Sequence, residues 1–328
     1  MKFPIPWPRL VACATAIVLC SSAFAADYPS RPVKVVVPFG PGGAAQALAE
    51  KVGAEISKTL GQPLVHEYKG GAAGLVGAET AARAPADGHT VFMGVPSALI
   101  VAPLVMKSLT RFDPEGDFEP IAGIASTPFV VFVNARLPIG NLRELIDYGR
   151  QHPGKLNFGS IGSNGTDYIA GQVLQKEAGF QMTSVPYKSV GALLPDILSG
   201  RVDVAILSPI PIMAHVRAGD LRILAVTSGE RSQSSALKDV PTVAEEGVPG
   251  YEIVSWYGYF APKGTAPDQI LSLNRATAAA LGDEGVIAYL KEQGLQPFDL
   301  APEQFADYYQ ADMKKWTQFV HEANIPVQ

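Results

Sequence analysis

Residues 33–43 read VKVVVPFGPGG, a β-branched apolar run that passes directly into a loop of prolines and glycines. The run is typical of a buried strand, and the proline and glycine residues end it. Leu48, Val52 and Ile56 follow at four-residue spacing, which predicts a helix with one apolar face. Gly61 then stands where helices commonly end. This stretch therefore predicts the strand, glycine-rich loop and helix with which an α/β sheet begins.

The same order of elements recurs along the chain. Strands at 64–68 and 90–93, with a helix of small residues between them, complete a first βαβαβ series. A second series begins near Phe129, and Asn141 with Glu144 forms a capping-box pattern at one of its helices. Its strands are predicted at 129–133, 156–159, 183–185, 202–207 and 221–227, and the C-terminal helices at 269–281, 285–293 and 303–320. The sequence thus predicts an α/β protein in two halves, each with a mostly parallel sheet flanked by helices.

Two glycine-rich loops, at 40–43 and 162–165, are the strongest candidates for a binding site. Both follow predicted strands and lead into helix N-termini, where free N–H groups and a partial positive charge suit an anion. Neither loop contains Lys or Arg, and the common phosphate-binding motifs are missing, which favours a carboxylate over a phosphate. Either loop alone could be a tight connection that binds nothing, whereas two of them favour a shared cleft. We expect Gly43 and Gly162 to be positions of close backbone approach.

Patterns that carry catalysis or metal binding are weak. The histidines are scattered without H-E-x-x-H spacing, and no G-x-S-x-G elbow is present. We therefore expect no catalytic residue, no metal and no cofactor. Asp167 could act as a general base, although the helix dipole alone also favours an acid in the first turn of a helix. Trp256, Tyr257 and Tyr259 form an aromatic cluster that is explained either by core or hinge packing or by a place in a cleft wall.

The first 25 residues predict an exported, periplasmic protein. Lys2 and Arg9 precede an apolar stretch at 11–19, and small residues at 23–25 (AFA) supply a cleavage site. This is the pattern of a secretory signal peptide. An uncleaved anchor and a lipoprotein modified at Cys20 are the alternatives.

Cleavage before Ala26 would change both the thiol content and the charge of the chain. It would remove Cys13 and Cys20, which are the only cysteines, together with Lys2 and Arg9. The formal net charge would then go from −5 to −7, because two positive charges are lost. A negatively charged chain is a poor partner for nucleic acid, whose binding depends on Lys and Arg neutralising phosphates.

Motifs spread over the whole mature chain resemble those of one family. They are 28–43 (YPSRPVKVVVPFGPGG), 70–77 (GGAAGLVG), 85–88 (PADG), 185–188 (VPYK), 224–228 (LAVTS), 239–245 (DVPTVAE) and 255–258 (SWYG). In order and spacing they resemble the tripartite tricarboxylate transporter receptors, also called Bug proteins. The resemblance implies a non-enzymatic periplasmic solute-binding protein with a two-lobed, type II-like fold. A small carboxylate would bind between the lobes, and the partner would be a membrane permease with a large and a small subunit.

The resemblance also implies a division of the chain. A signal peptide at 1–25 would be followed by lobe 1, built from 26–126 plus 252–328, and by lobe 2, built from 127–251. Two other functions stay open on the sequence. One is an exported hydrolase on the same scaffold that uses Ser163 or Asp167, and the other is a periplasmic sensor that presents its ligand to a signalling kinase.

The implied ligand site consists of the two glycine loops and two serines that follow later strands. The ligand-binding residues would be Phe39, Gly42, Gly43, Ala44, Ala45, Gln46, Ser97, Gly162, Ser163, Asn164, Gly165, Thr166, Asp167, Tyr168 and Ser208. The chain departs from the common family pattern at 45–46 (AQ), 167–168 (DY) and Leu207, and an apolar run follows at 209–213 (PIPIM). These departures predict an aromatic or otherwise apolar carboxylate as the ligand.

Overall fold

The computed structural model describes residues 28–162, 164–322 and 327, so the predicted signal peptide at 1–25 lies outside the described residues. The chain forms helices packed on two separate β-sheets. The strands are β1 (Val33–Val37), β2 (Leu64–Tyr68), β3 (Thr90–Gly94), β4 (Phe118–Pro128), β5 (Val130–Asn134), β6 (Asn157–Ile161), β7 (Thr183–Tyr187), β8 (Val204–Leu207), β9 (Leu221–Val226), β10 (Val254–Pro262) and β11 (Gln296–Pro297). The helices are α1 (Ala44–Leu60), α2 (Leu75–Ala82), α3 (Ala102–Val105), α4 (Leu142–Gln151), α5 (Thr166–Ala178), α6 (Val190–Ser199), α7 (Met213–Ala218), α8 (Pro267–Leu281), α9 (Glu284–Glu292) and α10 (Pro302–Glu322).

The two sheets divide the strands between them. The six-stranded sheet has the order β11-β4-β10-β3-β1-β2, and the five-stranded sheet has the order β7-β6-β8-β5-β9. β1 pairs in parallel with β2 and β3, and β6 pairs in parallel with β7 and β8. The predicted α/β fold on two sheets is therefore confirmed.

Both sheets are mixed, so the expectation of mostly parallel pairing holds only for β1–β3 and for β6–β8. β10 lies antiparallel between β3 and β4, and β5 lies antiparallel between β8 and β9. Parallel neighbours require a crossover connection, usually a helix. The chain passes from one sheet to the other between β4 and β5 and again between β9 and β10. In the described chain, neither of these two passages contains a helix.

The chain changes sheets at Phe129 and again between β9 and β10, and the buried Thr227 joins the two crossings. Its N–H donates to the Phe129 carbonyl at 3.0 Å, and its hydroxyl lies 3.1 Å from the same oxygen and 2.6 Å from the Ile253 carbonyl. The Ile253 N–H donates back to the Thr227 carbonyl at 2.8 Å. The two crossings are therefore held side by side.

Short-range signals set the helix ends as the sequence predicts. α1 ends at Gly61, whose φ of 68° lets its N–H reach the Ser57 carbonyl. At the start of α4, the Asn141 side chain accepts the Glu144 N–H at 2.8 Å, and the Glu144 carboxylate accepts the Gly140 N–H at 2.6 Å. Both caps satisfy backbone groups that a helix end leaves open.

The C-terminal helix α10 packs on the six-stranded sheet through an aromatic cluster. Trp256 on β10 is fully buried and meets the rings of Phe305 and Tyr309 edge-on, at centroid distances of 5.6 and 6.0 Å. Its Nε1 donates to the Asp312 carboxylate at 2.7 Å. Among the described residues, no helix has the length and apolar character needed to cross a membrane.

Candidate functional site

A cavity lies between the two glycine-rich loops and is walled by residues of both sheets. It holds about 680 Å³ of space that is free of protein atoms, part of which is open to solvent. The six-stranded sheet and its loops contribute Phe39, Gly40, Gly43, Ala44, Ala45, Gln46, Val95, Ser97, Ser255 and Tyr257. Phe129 and the five-stranded sheet with its loops contribute the rest, namely Ile161, Thr166, Asp167, Val190, Leu207, Ser208 and Pro211. The position beyond the carboxyl ends of β1, β3, β6 and β8 is where ligands bind in α/β sheets.

The loop between β1 and α1 is closed by a side chain and touches the opposite wall. The Gly42 N–H donates to Gln46 Oε1 at 2.6 Å, and Gln46 Nε2 donates to Glu50 at 2.9 Å. Gly42 has a φ of 95°, and a Cβ added there would stand 3.0 Å from the Cα of Gly191 in the first turn of α6. The loop is therefore packed backbone to backbone against the second sheet's helix.

Within the protein itself Gly43 is less crowded than Gly42, and its expected approach to a ligand stays a prediction. Gly43 has a φ of −105°, and an added Cβ would meet only the Val190 side chain at 3.6 Å, an ordinary contact. The constrained position is Gly42, because it combines a left-handed backbone with the contact to Gly191. At Gly162 the φ of 79° restricts substitution, but an added Cβ would have no neighbour closer than 3.9 Å.

The amino end of α1 is open toward the cavity. Gly43 precedes the helix, no side chain caps it, and its first turn holds no acidic residue. Ala44, Ala45 and Gln46, which form that turn, line the cavity. Because first-turn N–H groups lack intrahelical acceptors and carry partial positive charge, this end can bind an anion.

The second loop is ordered by its own backbone. The Gly162 N–H donates to the Tyr187 carbonyl at 2.9 Å, and the Ser160 hydroxyl donates to the Gly162 carbonyl at 2.7 Å. α5 then begins at Thr166, after Gly165. Ser163, which the sequence places in this loop, lies outside the described residues.

Asp167 is a buried carboxyl group in the cavity wall. Its Oδ2 accepts the N–H of Ile161 at the end of β6, and the carboxyl also accepts its own N–H and that of Tyr168. Burial raises the pKa of Asp167 to about 7, although these N–H donors oppose the effect. The side chain therefore occupies the amino end of α5 and divides between its two protonation states near neutral pH.

Ser97 enters the wall on an irregular helical turn. It begins a π-helix, Ser97–Val101, that follows β3. The buried Ser97 hydroxyl donates to the Ala73 carbonyl at 2.9 Å, and Ala73 itself has a φ of 55° that non-glycine residues seldom adopt. π turns are frequent at functional sites, and this one places a hydroxyl beside the second glycine loop.

The aromatic cluster of β10 is divided between core and cavity, which resolves the two interpretations left open by the sequence. Tyr257 lines the cavity together with Ser255, whereas Trp256 and Tyr259 belong to the core. Burial raises the pKa of Tyr257 to about 12, so its hydroxyl stays neutral. Ser208 lies close enough to the Tyr257 hydroxyl to lower that pKa slightly, yet its buried Oγ forms no hydrogen bond of ordinary geometry among the described residues.

Charge is nearly absent from the cavity. Asp167 is the acidic residue in its wall, and none of the lining residues that the structure describes is Lys, Arg or His. The described chain also contains no cluster of three or more His, Cys, Asp or Glu residues that could hold a metal ion. Recognition of an anion here must therefore depend on N–H groups and hydroxyls.

Most residues that the sequence assigns to the site lie together. The residues in the cavity wall are Phe39, Gly43, Ala44, Ala45, Gln46, Ser97, Thr166, Asp167 and Ser208. Gly162 and Asn164 line a neighbouring, more open cavity that shares Phe39, Gly40 and Ile161 with the first. Gly42 and Gly165 belong to the loops and Tyr168 to the first turn of α5, and none of the three lines either cavity.

Several wall residues were not predicted. Val95 and Ile161 could have been found, because each stands at the carboxyl end of a predicted strand, as Ser97 and Ser208 do. Phe129, Val190 and Ser255 come from a sheet crossing, the start of α6 and β10. No local pattern in the sequence marks these three positions.

Comparison with known proteins assigns the chain to a family. A family model described as "Tripartite tricarboxylate transporter family receptor" matches residues 48–325. A relative from Pseudomonas sp. (strain P51), named "UPF0065 protein in tcbD-tcbE intergenic region", is 33% identical over 322 residues, covering 97% of this chain and 95% of the relative. The chain belongs to the tripartite tricarboxylate transporter receptor family, which confirms the resemblance and its class, a solute-binding receptor.

Solved structures share the fold over most of the chain. The R. palustris protein Rpa4515, solved with adipate, is 34% identical with a TM-score of 0.87, covering 92% of this chain and 100% of its own. The periplasmic binding protein BugD is 28% identical with a TM-score of 0.86, at the same coverage of both chains.

Proposed function

We propose that this protein captures a small carboxylate, aromatic or otherwise apolar, in the periplasm and delivers it to a permease with a large and a small membrane subunit. The observation that carries the proposal is the cavity wall, which joins the uncapped amino end of α1 to a largely apolar surface without a basic side chain. A helix amino end binds a carboxylate through its N–H groups, and the apolar surface accepts the rest of the molecule. Adipate in the related R. palustris protein is a ligand of this chemical class.

The binding event would close two lobes around the ligand. Lobe 1 would consist of 26–126 plus 252–328 and lobe 2 of 127–251, a division supported by the crossings at Phe129 and Ile253, which fall near these boundaries. Thr227 would act at the hinge, because it bonds to both crossings. A ligand that touches both glycine loops binds the closed arrangement best and shifts the population toward it.

The apolar character of the wall supports the finer ligand class. Phe39, Phe129 and Tyr257 supply aromatic surface, and Leu207 and Pro211 supply aliphatic surface. Burial of apolar ligand area contributes roughly 25 cal/mol per Å², so a ring could contribute a few kcal/mol. Citrate or glutamate would gain little from such a wall, and citrate would bring additional negative charge close to Asp167.

A hydrolase on this scaffold has less support. A serine nucleophile needs an adjacent base, and no imidazole stands among the described lining residues. Ser163, the serine of this alternative, lies outside the described residues, and Asp167 Oδ2 accepts the Ile161 N–H. Stoichiometric binding without turnover is expected, and steady consumption of a bound carboxylate would favour the enzyme.

Export would follow from the segment at 1–25. The mature protein should begin at or near Ala26 and be free in the periplasm. Intact-mass measurement of the periplasmic protein tests this, and retention of residues 1–25 or a lipid on Cys20 would contradict it.

The ligand class is tested by thermal shift and titration calorimetry with benzoate, phthalate, adipate, citrate, glutamate and aspartate. A ligand at 100 times its Kd stabilises the folded state by about 2.7 kcal/mol. Phe39→Ala should weaken benzoate binding more than adipate binding, whereas Phe112→Ala, outside the cavity wall, should change neither. Preference for citrate, glutamate or aspartate would contradict the apolar ligand class, and no binding of any acid would contradict the carboxylate receptor.

A further inference from the structure

We propose that Asp167 makes ligand capture proton-linked: the carboxylate enters the cavity together with one proton from solvent, which Asp167 holds as a carboxylic acid facing the ligand. This inference rests on the proposed function, since it requires that a carboxylate binds in this cavity. It assigns to one residue both a preference for the carboxylate class and a dependence of binding on pH.

The position of Asp167 is the first support. Its side chain lies in the wall of the cavity and is 6% exposed, and its Oδ2 is fixed by the N–H of Ile161. Its Oδ1 lies close to Gly165, where an added Cβ would stand 2.7 Å from it. The carboxyl is therefore held in the cavity wall between the end of β6 and the loop before α5.

The surroundings of Asp167 contain no counter-charge. Strand β6 contributes the Ile161 N–H, the first turn of α1 contributes the neutral Gln46, and the π turn contributes the uncharged Ser97. From β10 comes Tyr257, the other titratable group in the described wall, which burial keeps neutral. No charged side chain contributes to the pKa of Asp167, which desolvation sets near 7.

A second carboxylate in the same enclosure changes this balance. Two negative charges close together in a low-dielectric site repel strongly, so one of the two groups takes up a proton. The proton comes from solvent and binds to an oxygen of Asp167, and the resulting O–H can donate to a carboxylate oxygen of the ligand. No other bond forms or breaks.

A positively charged ligand would show the opposite pH dependence of binding. A ligand that presents an ammonium group would bind ionised Asp167, assisted by the aromatic rings of the wall. Its affinity would fall as the pH drops below 7, whereas the affinity of a carboxylate that needs protonated Asp167 would rise. The direction of the change therefore separates the two.

The expected size follows from the fraction of Asp167 that carries a proton. If only the protonated form binds, the apparent Kd equals the intrinsic Kd divided by that fraction. With a pKa of about 7, binding should weaken about 50-fold from pH 7 to pH 9 and change little between pH 6 and pH 5.

The experiment is titration calorimetry of benzoate between pH 5 and pH 9, repeated in phosphate and Tris, whose ionisation enthalpies differ. The wild type should take up nearly one proton per benzoate at pH 8 and about half a proton at pH 7. Asp167→Asn carries a permanent N–H donor in place of the acid. It should bind benzoate at pH 9 about as tightly as the wild type does at pH 6, with no proton uptake.

Asp203→Asn is the matched control. Asp203 is another carboxyl whose pKa burial raises, but it accepts the Asn157 N–H away from the cavity. This variant should keep the wild-type pH dependence. Benzoate binding that is independent of pH, or that weakens as the pH falls, would overturn the inference alone. Failure of benzoate and every other acid of the panel to bind at any pH would overturn the proposed function as well.

Discussion

Replacing Asp167 by asparagine should change how the stability of the ligand-free protein depends on pH. Burial raises the pKa of this carboxyl from its ordinary 3.8 to about 7 in the folded protein. Below pH 4 the group is protonated in both the folded and the unfolded chain, so the folded state has its full stability. Between pH 4 and 7 only the unfolded chain ionises, and the free energy of unfolding falls. Above pH 7 the loss is complete.

The size of this loss follows from the same pKa. Each pKa unit corresponds to roughly 1.4 kcal/mol, so a rise from 3.8 to about 7 corresponds to about 4 kcal/mol. Asparagine does not titrate, and the other groups titrate alike in both proteins. The stability of the wild type relative to Asp167→Asn should therefore fall by this amount between pH 4 and pH 8.

The assay is urea unfolding followed by circular dichroism at one-unit steps from pH 4 to pH 8, at constant salt. Asp196→Asn is the control, and its curve should run nearly parallel to that of the wild type over this range, because hydrogen bonds from Tyr187 and Arg201 lower the pKa of Asp196 below its ordinary 3.8. The contribution of Asp196 is present above its ordinary pKa and is lost as the pH falls. If the curves of the wild type and Asp167→Asn run parallel over the whole range, the assignment of a buried, raised-pKa carboxyl is refuted.

Three further substitutions test the site and the hinge. Gly191→Val should weaken benzoate binding by roughly 1–3 kcal/mol, because its Cβ would stand 3.1 Å from the Pro41 carbonyl across the cleft. The circular dichroism spectrum should stay normal. An unchanged Kd in calorimetry would show that the close contact between Gly191 and Pro41 is not needed for binding. Thr227→Val should lower the free energy of unfolding by about 1–3 kcal/mol, measured by urea titration, because the carbonyls of Phe129 and Ile253 lose the Thr227 hydroxyl as a hydrogen-bond partner. An unchanged unfolding midpoint would contradict the role of Thr227 in the hinge. Ser208→Ala should not lower stability, because the Ser208 Oγ has no hydrogen-bond partner among the described residues. The variant should nevertheless weaken benzoate binding by about 1 kcal/mol. Equal affinity of the variant and the wild type for benzoate would show that the ligand does not bind beside Ser208.

The local elements of this fold are predictable because their signals lie within a few residues of one another. The cap at Gly61 and the Asn141–Glu144 pair depend on neighbours within four positions, and the structure contains both. The pairing of β4 with β10 is different, because it joins Pro128 to Val254 across more than a third of the chain. β10 is almost entirely buried on both faces. Its sequence therefore lacks the alternation of apolar and polar residues that indicates a strand with one exposed face.

The residues of the candidate site likewise fall into those that the sequence predicts and those that depend on long-range pairing. The loops and the serines follow from one rule, that ligands in α/β sheets bind beyond the carboxyl ends of strands. Ser255, and Phe129 directly after β4, reach the cavity only because long-range pairing brings β4 and β10 together, which no local pattern encodes. Tyr257 was one of three aromatic candidates, and the register of β10 decides that its ring lines the cavity while Trp256 is buried in the core.

The two helix amino ends at the cavity differ in a way that orients a ligand. The first turn of α5 contains Asp167, whose carboxyl uses the N–H groups of its own turn and of Ile161. α1 begins after Gly43 without a side-chain cap or an acid. Because an ionised carboxylate is attracted to an open amino end and repelled by a carboxylate, we expect the charged end of the ligand to face Ala44 and Ala45. The apolar part then fills the space beside Tyr257, and Asp167, which lines the same cavity, can face the ligand carboxylate only as the neutral acid.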